Sequence, residues 1–291
     1  MHIRINHSTR YTYERPVRSL GQMLRVTPRP TSGQTVRSWR VATVPFLPLR
    51  IAYDAFGNVV TLLFTDQPLR ALDIEVSGEI ETRDTGGVLS EAREPLDPLV
   101  FLRETPLTHC DAALAAFAEE VAGGGGAPLE VLHRLLHAVH DAMVFDPDST
   151  HPATAASEAF GLGRGVCQDL AQVFIVAARR LEIPARYVSG HFARGDGVVD
   201  QAASHAWAEA LVPDLGWVGF DPTNGISSGE QHIRVAAALD YLGAAPVRGS
   251  RSGGGEEEMT VELRVEPDRA WQAQRQSQSQ SQSQFQSQSQ S

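Results

Sequence analysis

Cysteine is scarce in this chain of 291 residues: there are two, Cys110 and Cys167. Two thiols cannot build a disulfide framework, and a chain of this length can bury a sizeable core without one. Long apolar runs are missing as well. Nothing approaches the roughly 18–20 apolar residues of a membrane span, and the opening MHIRINHSTRYTYERPV has no apolar stretch of the secretory-signal kind. There is no concentrated basic run. A formal net charge of −10 and a pI of about 5.5 give no general attraction to nucleic acid or an anionic membrane. The expectation is a protein of the reducing cytosol with free thiols, partnering neither nucleic acid nor membrane. Several ligand motifs are absent too. The glycines at 123–126 are not followed by Lys-Ser/Thr, so they read as a linker and not a phosphate loop. No HExxH occurs, and His133, His137 and His140 in HRLLHAVH read as a histidine row along a helix flank, without a metal. No acidic calcium loop is found. The sequence implies no metal and no cofactor.

What is present fits a globular chain of about two domains. Hydrophobic residues make up 42% and charged residues 21%, which leaves enough apolar surface for ordinary cores. The first hundred residues read as strands. RSWRVATVPF and LDIEVSGEIETR alternate apolar and polar residues, with Leu72, Ile74 and Val76 on one face. DAFGN (54–58) supplies a turn before the apolar strand VVTLLF. A β-rich domain of two packed sheets is expected over residues 1–98. The texture then changes. DAALAAFAEEVA has helical spacing, the glycines at 123–126 stop it, and PLEVLHRLLHAVHDAMVF begins a second helix on a proline. Leu132, Leu135, Leu136 and Val139 line its apolar face. DPDSTHPATAASEAF reads as a loop leading into a short helix. IPARYVSGHF, SHAWAEALVP and GWVGFDPTN read as successive strands, and MTVELRV (259–265) as a late one. Residues 267–291 are a Gln/Ser-rich tail, expected to be disordered.

GRGVCQDLAQVFIVAARRL holds the residue of greatest chemical interest. Leu170, Val173, Phe174, Ala177, Ala178 and Leu181 recur at helical spacing, so a central helix starts near Cys167. A thiol at a helix N-terminus gains thiolate character from free N–H groups and the helix dipole. Gly163 and Gly165 let the chain bend sharply before it. A thiolate nucleophile needs a base, and the base an orienting partner. SHAW offers His205 on one strand and GFDPTN offers Asp221 at the end of the next. Their spacing suits adjacent antiparallel strands, which would set His205 and Asp221 side by side. Cys110, at a helix start, has no such neighbours. Asp169 reads as a cap for the helix start, and Gln168 as its neighbour beside the nucleophile. Trp207 shares the His205 face and reads equally as cleft wall or core. Tyr187 and Trp217 read as core. Residues 192–203 are a lid candidate.

GVCQDLAQ, EIPARYVSG, SHAWAE and GWVGFDPTNG resemble the transglutaminase-like family of papain-type cysteine enzymes. YTYERPV, RVTPRP and DAFGN resemble the β-rich N-terminal domain of its bacterial members, and HIRVAAALDYLGAAPVRG the segment that closes that architecture. One departure lies in AALDYLGAAP: relatives carry an arginine before DY and an acidic residue after it, where this chain has Leu239 and Gly243. The resemblance implies an α+β protein in which a β-rich N-terminal domain precedes a papain-like, transglutaminase-core domain. That core, over residues 99–266, would be a central helix packed on an antiparallel sheet, with the late strand closing it. The resemblance further implies Cys167 as nucleophile, His205 as acid and base, Asp221 as orienting residue, and thioester chemistry on a peptide or protein amide. Water as acceptor makes a peptidase or amidase. An amine co-substrate makes a transglutaminase. A non-catalytic peptide-binding or assembly module is the third reading.

Overall fold

The computed structural model describes residues 1–89 and 96–268. It begins with β1 (His2–Thr27), β2 (Gln34–Val44), β3 (Leu49–Tyr53), β4 (Val59–Thr65) and β5 (Leu69–Thr82). β1 alternates strictly over its first half: Ile3, Ile5, His7, Thr9 and Tyr11 are buried, while Arg4, Asn6 and Arg10 face out. Leu72, Ile74 and Val76 on β5 are all buried, as their alternation predicts. The two packed sheets expected here are instead one hydrogen-bonded sheet, because β1 is long enough to run through both halves. Its pairing with β5 is interrupted between Thr12 and Val17, around Pro16, which has no N–H to give to a ladder. Beyond that irregularity β1 exchanges partners and pairs with β4.

The second part follows β6 (Val88–Leu89). It contains α1 (Ala112–Ala122), α2 (Pro128–Ala142), β7 (Val144–Phe145), α3 (Ala156–Leu162), β8 (Arg164–Gly165) and α4 (Cys167–Arg180). Then come β9 (Ala185–Phe192), β10 (Asp200–Gln201), β11 (His205–Val212), β12 (Gly216–Asp221), β13 (Ile226–Ser227), β14 (His232–Ala238) and α5 (Tyr241–Ala244). The chain closes with β15 (Val247–Gly253) and β16 (Glu257–Pro267). α4 is central: twelve of its fourteen residues are buried, so it has no solvent face to speak of. It packs on β9 and β11, with α1, α2 and α3 around it. Leu132, Leu135, Leu136 and Val139 of α2 join Phe174 and Phe220 in this core. The sheet order is β13-β12-β11-β9-β14, with β6 on β12. The architecture is α+β, a β-rich N-terminal region followed by a helix-on-sheet core. No helix among the described residues is long and apolar enough to cross a membrane.

The two parts are more interlocked than the division at residue 98 implies. The late strand expected to close the core domain does not: β16 pairs with β1 from Ile3↔Pro267 to Tyr13↔Glu257, and β15 pairs with the second half of β1. The reason is apolar. Leu263 and Val265 of β16 bury against Ile3 and Ile5, in a cluster that also takes Ala193 and Ile233 from the other part. β6 makes the reverse exchange, leaving the N-terminal part to pair Trp217↔Leu89 on the core sheet. The Gln/Ser tail from residue 269 lies outside the described residues; Pro267, where it was expected to begin, is still in β16.

Two side-chain amides join the sheets. Asn58, at the end of the DAFGN turn, donates from Nδ2 to the Ala237 carbonyl (2.8 Å) and accepts the Ala237 N–H at Oδ1 (2.9 Å). Gln34 does the same for Arg234, accepting its N–H and donating to its carbonyl, both at 2.9 Å. Asn58 and Ala237 are both buried. Asn58→Ala therefore strands two buried backbone groups, and we expect a stability loss of roughly 2–5 kcal/mol in urea unfolding. A loss within experimental error would mean that the two sheets do not depend on this contact.

Candidate active site

The start of α4 is built by three neighbours in sequence. Gly163 ends α3 in the left-handed region at φ 64°, a conformation that costs glycine nothing. Gly165 lies so close to Asp169 that an added Cβ would fall 2.6 Å from its carboxylate. That closeness lets Asp169 reach back and accept the Val166 N–H (2.8 Å), pinning the first turn. Thr150 donates to the same oxygen (2.6 Å). Asp169 is fully buried, and burial raises its pKa above the ordinary value despite these two bonds. Cys167 is the first residue of the helix, half-buried, with Sγ 4.0 Å from the Ser204 carbonyl.

Ser204 immediately precedes His205, the first residue of β11. Alternation along β11 turns Ala206, Ala208 and Ala210 to α4 and puts His205 and Trp207 on the other face. His205 thus meets Cys167 around the end of the strand, not across the sheet. The β11–β12 register sets Ala208 opposite Phe220. His205 and Asp221 are therefore diagonal neighbours, offset by two, and not directly opposed as their spacing suggested. His205 Nε2 lies 2.7 Å from Asp221 Oδ2, which leaves Nδ1 for Cys167. Burial disfavours the charged ring, but hydrogen bonds to Asp221 and Cys167 outweigh it and raise the His205 pKa to about 10. Burial likewise disfavours the Asp221 carboxylate, yet bonds from His205 and His232 hold its pKa well below the usual carboxylate range. The Thr223 and Asn224 N–H groups donate to Oδ1 at 3.1 and 3.2 Å, and Asn224 Nδ2 donates to Oδ2 at 2.7 Å.

The structure thus brings Cys167, His205 and Asp221 together, with two residues the sequence reading passed over: Asn224 and His232. Asn224 lies three residues beyond Asp221, in the DPTN turn. His232 Nε2 lies 3.1 Å from Asp221 Oδ2. His205, Asp221 and His232 make a cluster of potential metal ligands. Its nitrogen–oxygen separations are hydrogen-bond lengths, however, whereas a tetrahedral zinc would hold its ligand atoms about 3.3 Å apart. Gln168 is buried beside Cys167 and donates to the Pro152 carbonyl (3.3 Å). Trp207 is not a cleft wall. It packs behind the site, edge-on to His232 at 5.1 Å and against Val188 and Ala237. Tyr187 and Trp217 are buried, and Tyr187 also reaches the cleft. Glu209 is taken up by two buried ion pairs, with Arg186 (2.6 Å) and Arg234 (2.7 Å). The histidine row does not converge: His133 packs on Phe220, and His140 Nδ1 donates to the Pro222 carbonyl. Cys110 precedes the cap of α1, and burial raises its pKa.

A cleft of about 960 Å³ opens over Cys167 and His205. Its walls come from both parts of the molecule. Tyr11, Met259 and Val261 belong to the N-terminal sheet; Phe145, Phe192 and Tyr241 belong to the core. Residues 192–203 line one side but are tied down: β10 pairs with β16, and Gln201 Nε2 donates to the Phe192 carbonyl. In this structure they form part of the cleft wall.

Residues 115–222 match the transglutaminase-like superfamily, and residues 3–81 match the bacterial transglutaminase-like N-terminal region. An uncharacterized protein of Mycobacterium leprae is 30% identical over 275 residues, spanning 90% of this chain and 98% of its own length. A protein-glutamine gamma-glutamyltransferase of Pseudomonas aeruginosa is 26% identical over 218 residues, which are 63% of this chain but only 33% of that protein. Among solved structures, a candidate cysteine protease from Cytophaga hutchinsonii superposes with a TM-score of 0.73 at 20% identity, covering 92% of both chains, and so shares the fold. The chain belongs to the transglutaminase-like superfamily and carries the N-terminal region of its bacterial branch.

The coupled pair gives the site a pH signature. His205 has its pKa raised from 6.5 to about 10, so its stabilisation is complete below 6.5 and lost as pH rises through 10. Asp221 is depressed from 3.8, so its contribution is complete above 3.8 and lost as pH falls through the folded value. The stability gap between wild type and His205→Ala should therefore shrink in urea unfolding between about pH 6 and pH 10. A gap that is flat or widens over that range contradicts the ion pair.

Proposed function

We propose that the protein is a cysteine amide hydrolase, a peptidase or amidase working through a thioester on Cys167. One observation carries this reading: the His205 ring bonds the buried Asp221 carboxylate through Nε2 and stands beside Cys167, whose Sγ lies 4.0 Å from the carbonyl of the preceding Ser204. His205 Nδ1 takes the Cys167 proton, and the thiolate attacks the amide carbon. The Cys167 and Gln168 N–H groups, which precede the first bonded N–H of α4 at Asp169, receive the oxyanion. The amine leaves with the proton from His205. Water then gives a proton to His205 and attacks the thioester, releasing the acid and restoring the thiol.

The cleft bears on the substrate. Apart from Cys167 and His205, its charged lining residues among those described are Arg194, Asp196 and Asp200. Arg194 pairs with Asp196, and Asp200 with Arg264. Around them stand Tyr11, Met259, Val261, Phe145 and Tyr241, so uncharged peptide segments with apolar side chains suit it best.

Iodoacetamide at pH 6 gives the first test. Cys167 should alkylate at least about tenfold faster than Cys110, whose thiol is held protonated by burial. Equal rates would remove the nucleophile from the proposal. A second test offers glutamine-containing peptides with and without a fluorescent primary amine. We expect ammonia or a cleaved peptide without amine incorporation, and no turnover by Cys167→Ala. The chain has no lysine, so its own side chains supply no competing ε-amine. Amine incorporation would make the protein a transamidase. A peptide bound tightly by wild type and Cys167→Ala alike, with no turnover by either, would make it a binding module.

A further inference from the structure

His232 stands on the far side of the Asp221 carboxylate from Cys167, and its two ring nitrogens have fixed roles. Nδ1 accepts the Gly229 N–H at 3.1 Å, so Nδ1 carries no proton. The ring proton must then sit on Nε2, 3.1 Å from Asp221 Oδ2, and be donated to it. The ring is neutral and its tautomer is set by the backbone. Its side chain is only 3% exposed. Phe192 and Trp207 pack against it at 4.8 and 5.1 Å, and the same two rings flank His205.

Two imidazoles therefore share one carboxylate oxygen, and their situations differ. His205 is the one that meets Cys167. His232 does not itself line the cleft; it lies behind Phe192 and His205, which do. Other ionisable groups face His232 across a small cavity: Glu209, Arg234 and Arg83. Glu209 is already paired with both Arg234 and Arg186, and Arg83 adds a further positive charge, so the cavity offers His232 no uncompensated carboxylate. Burial lowers the His232 pKa, and a charge on His205 lowers it further. A second cation at this position would compete with His205 for Asp221; a neutral donor does not.

We propose that His232 is a positioning residue: a neutral Nε2–H donor that keeps Asp221 ionised and aimed at His205. This rests on the triad reading above, but the two can fail separately. Without the His232 bond, Asp221 loses one stabilising donor and takes up a proton at higher pH. The His205–Asp221 pair then forms at higher pH as well.

The test compares wild type with His232→Leu, which has no donor, and His232→Gln, whose amide can replace Nε2–H. The probe is iodoacetamide, and the readout is the pH dependence of Cys167 alkylation. In His232→Leu the acidic limb should move up by about one pH unit, slowing alkylation about tenfold at any pH on that limb. His232→Gln should bring the limb back most of the way. An unmoved limb in His232→Leu, or a glutamine variant no better than leucine, would overturn the proposal. Nitrogen-15 NMR of the wild-type histidines, with His232 assigned through the glutamine variant, reads the ring directly even if the leucine variant does not fold. One proton, on Nε2, throughout pH 5–8 is expected. A proton on Nδ1, or on both nitrogens at pH 7, would refute the assignment. Should wild-type Cys167 itself react no faster than Cys110, it is the triad reading that fails, whatever the state of His232.

Discussion

The candidate site depends on one buried carboxylate. Asp221 is inaccessible to solvent, and a charge there is tolerable only because donors surround it. Two ring nitrogens, two backbone N–H groups and the Asn224 amide supply that environment. Its interaction with His205 favours the imidazolium that a thiolate needs beside it. The strands β11, β12 and β14 all end near this group, each bringing one of its partners or the carboxylate itself.

That convergence explains why the two parts of the chain are interlocked. β14 carries His232 and is also the strand that Asn58 and Gln34 grip from the N-terminal part. β16 returns to β1 and in doing so holds β10, which fixes the segment leading to His205. The N-terminal sheet is thus both a support for the strands behind the site and a wall of the cleft in front of it.

Much of this was legible in the sequence, for physical reasons that differ by element. The helix starting at Cys167 announces itself through apolar residues at helical spacing, and Asp169 through its place three residues after the residue whose N–H it accepts. Adjacent strands bearing His205 and Asp221 follow from alternation and a short turn, although their diagonal offset does not, since register depends on where the turn closes. The partner of β16 was not legible: alternation says that one face is buried but not against which sheet. Trp207 was half legible, because sharing a strand face with His205 does not say which side of the carboxylate the face reaches. His232 gave no signal of its own. It opens an apolar strand, HIRVAAA, and only the fold brings it to Asp221 from eleven residues further along the chain.

The central claim is that a bond forms between Cys167 sulfur and the substrate's acyl carbon. Acid-quenched mass spectrometry during turnover of an amide or activated ester substrate examines it most directly. The acyl mass should appear on the tryptic peptide that runs from residue 165 to 179 and contains Cys167, and disappear when the substrate is exhausted. Steady turnover with no acyl mass on that peptide, together with undiminished turnover by Cys167→Ala, would contradict the account.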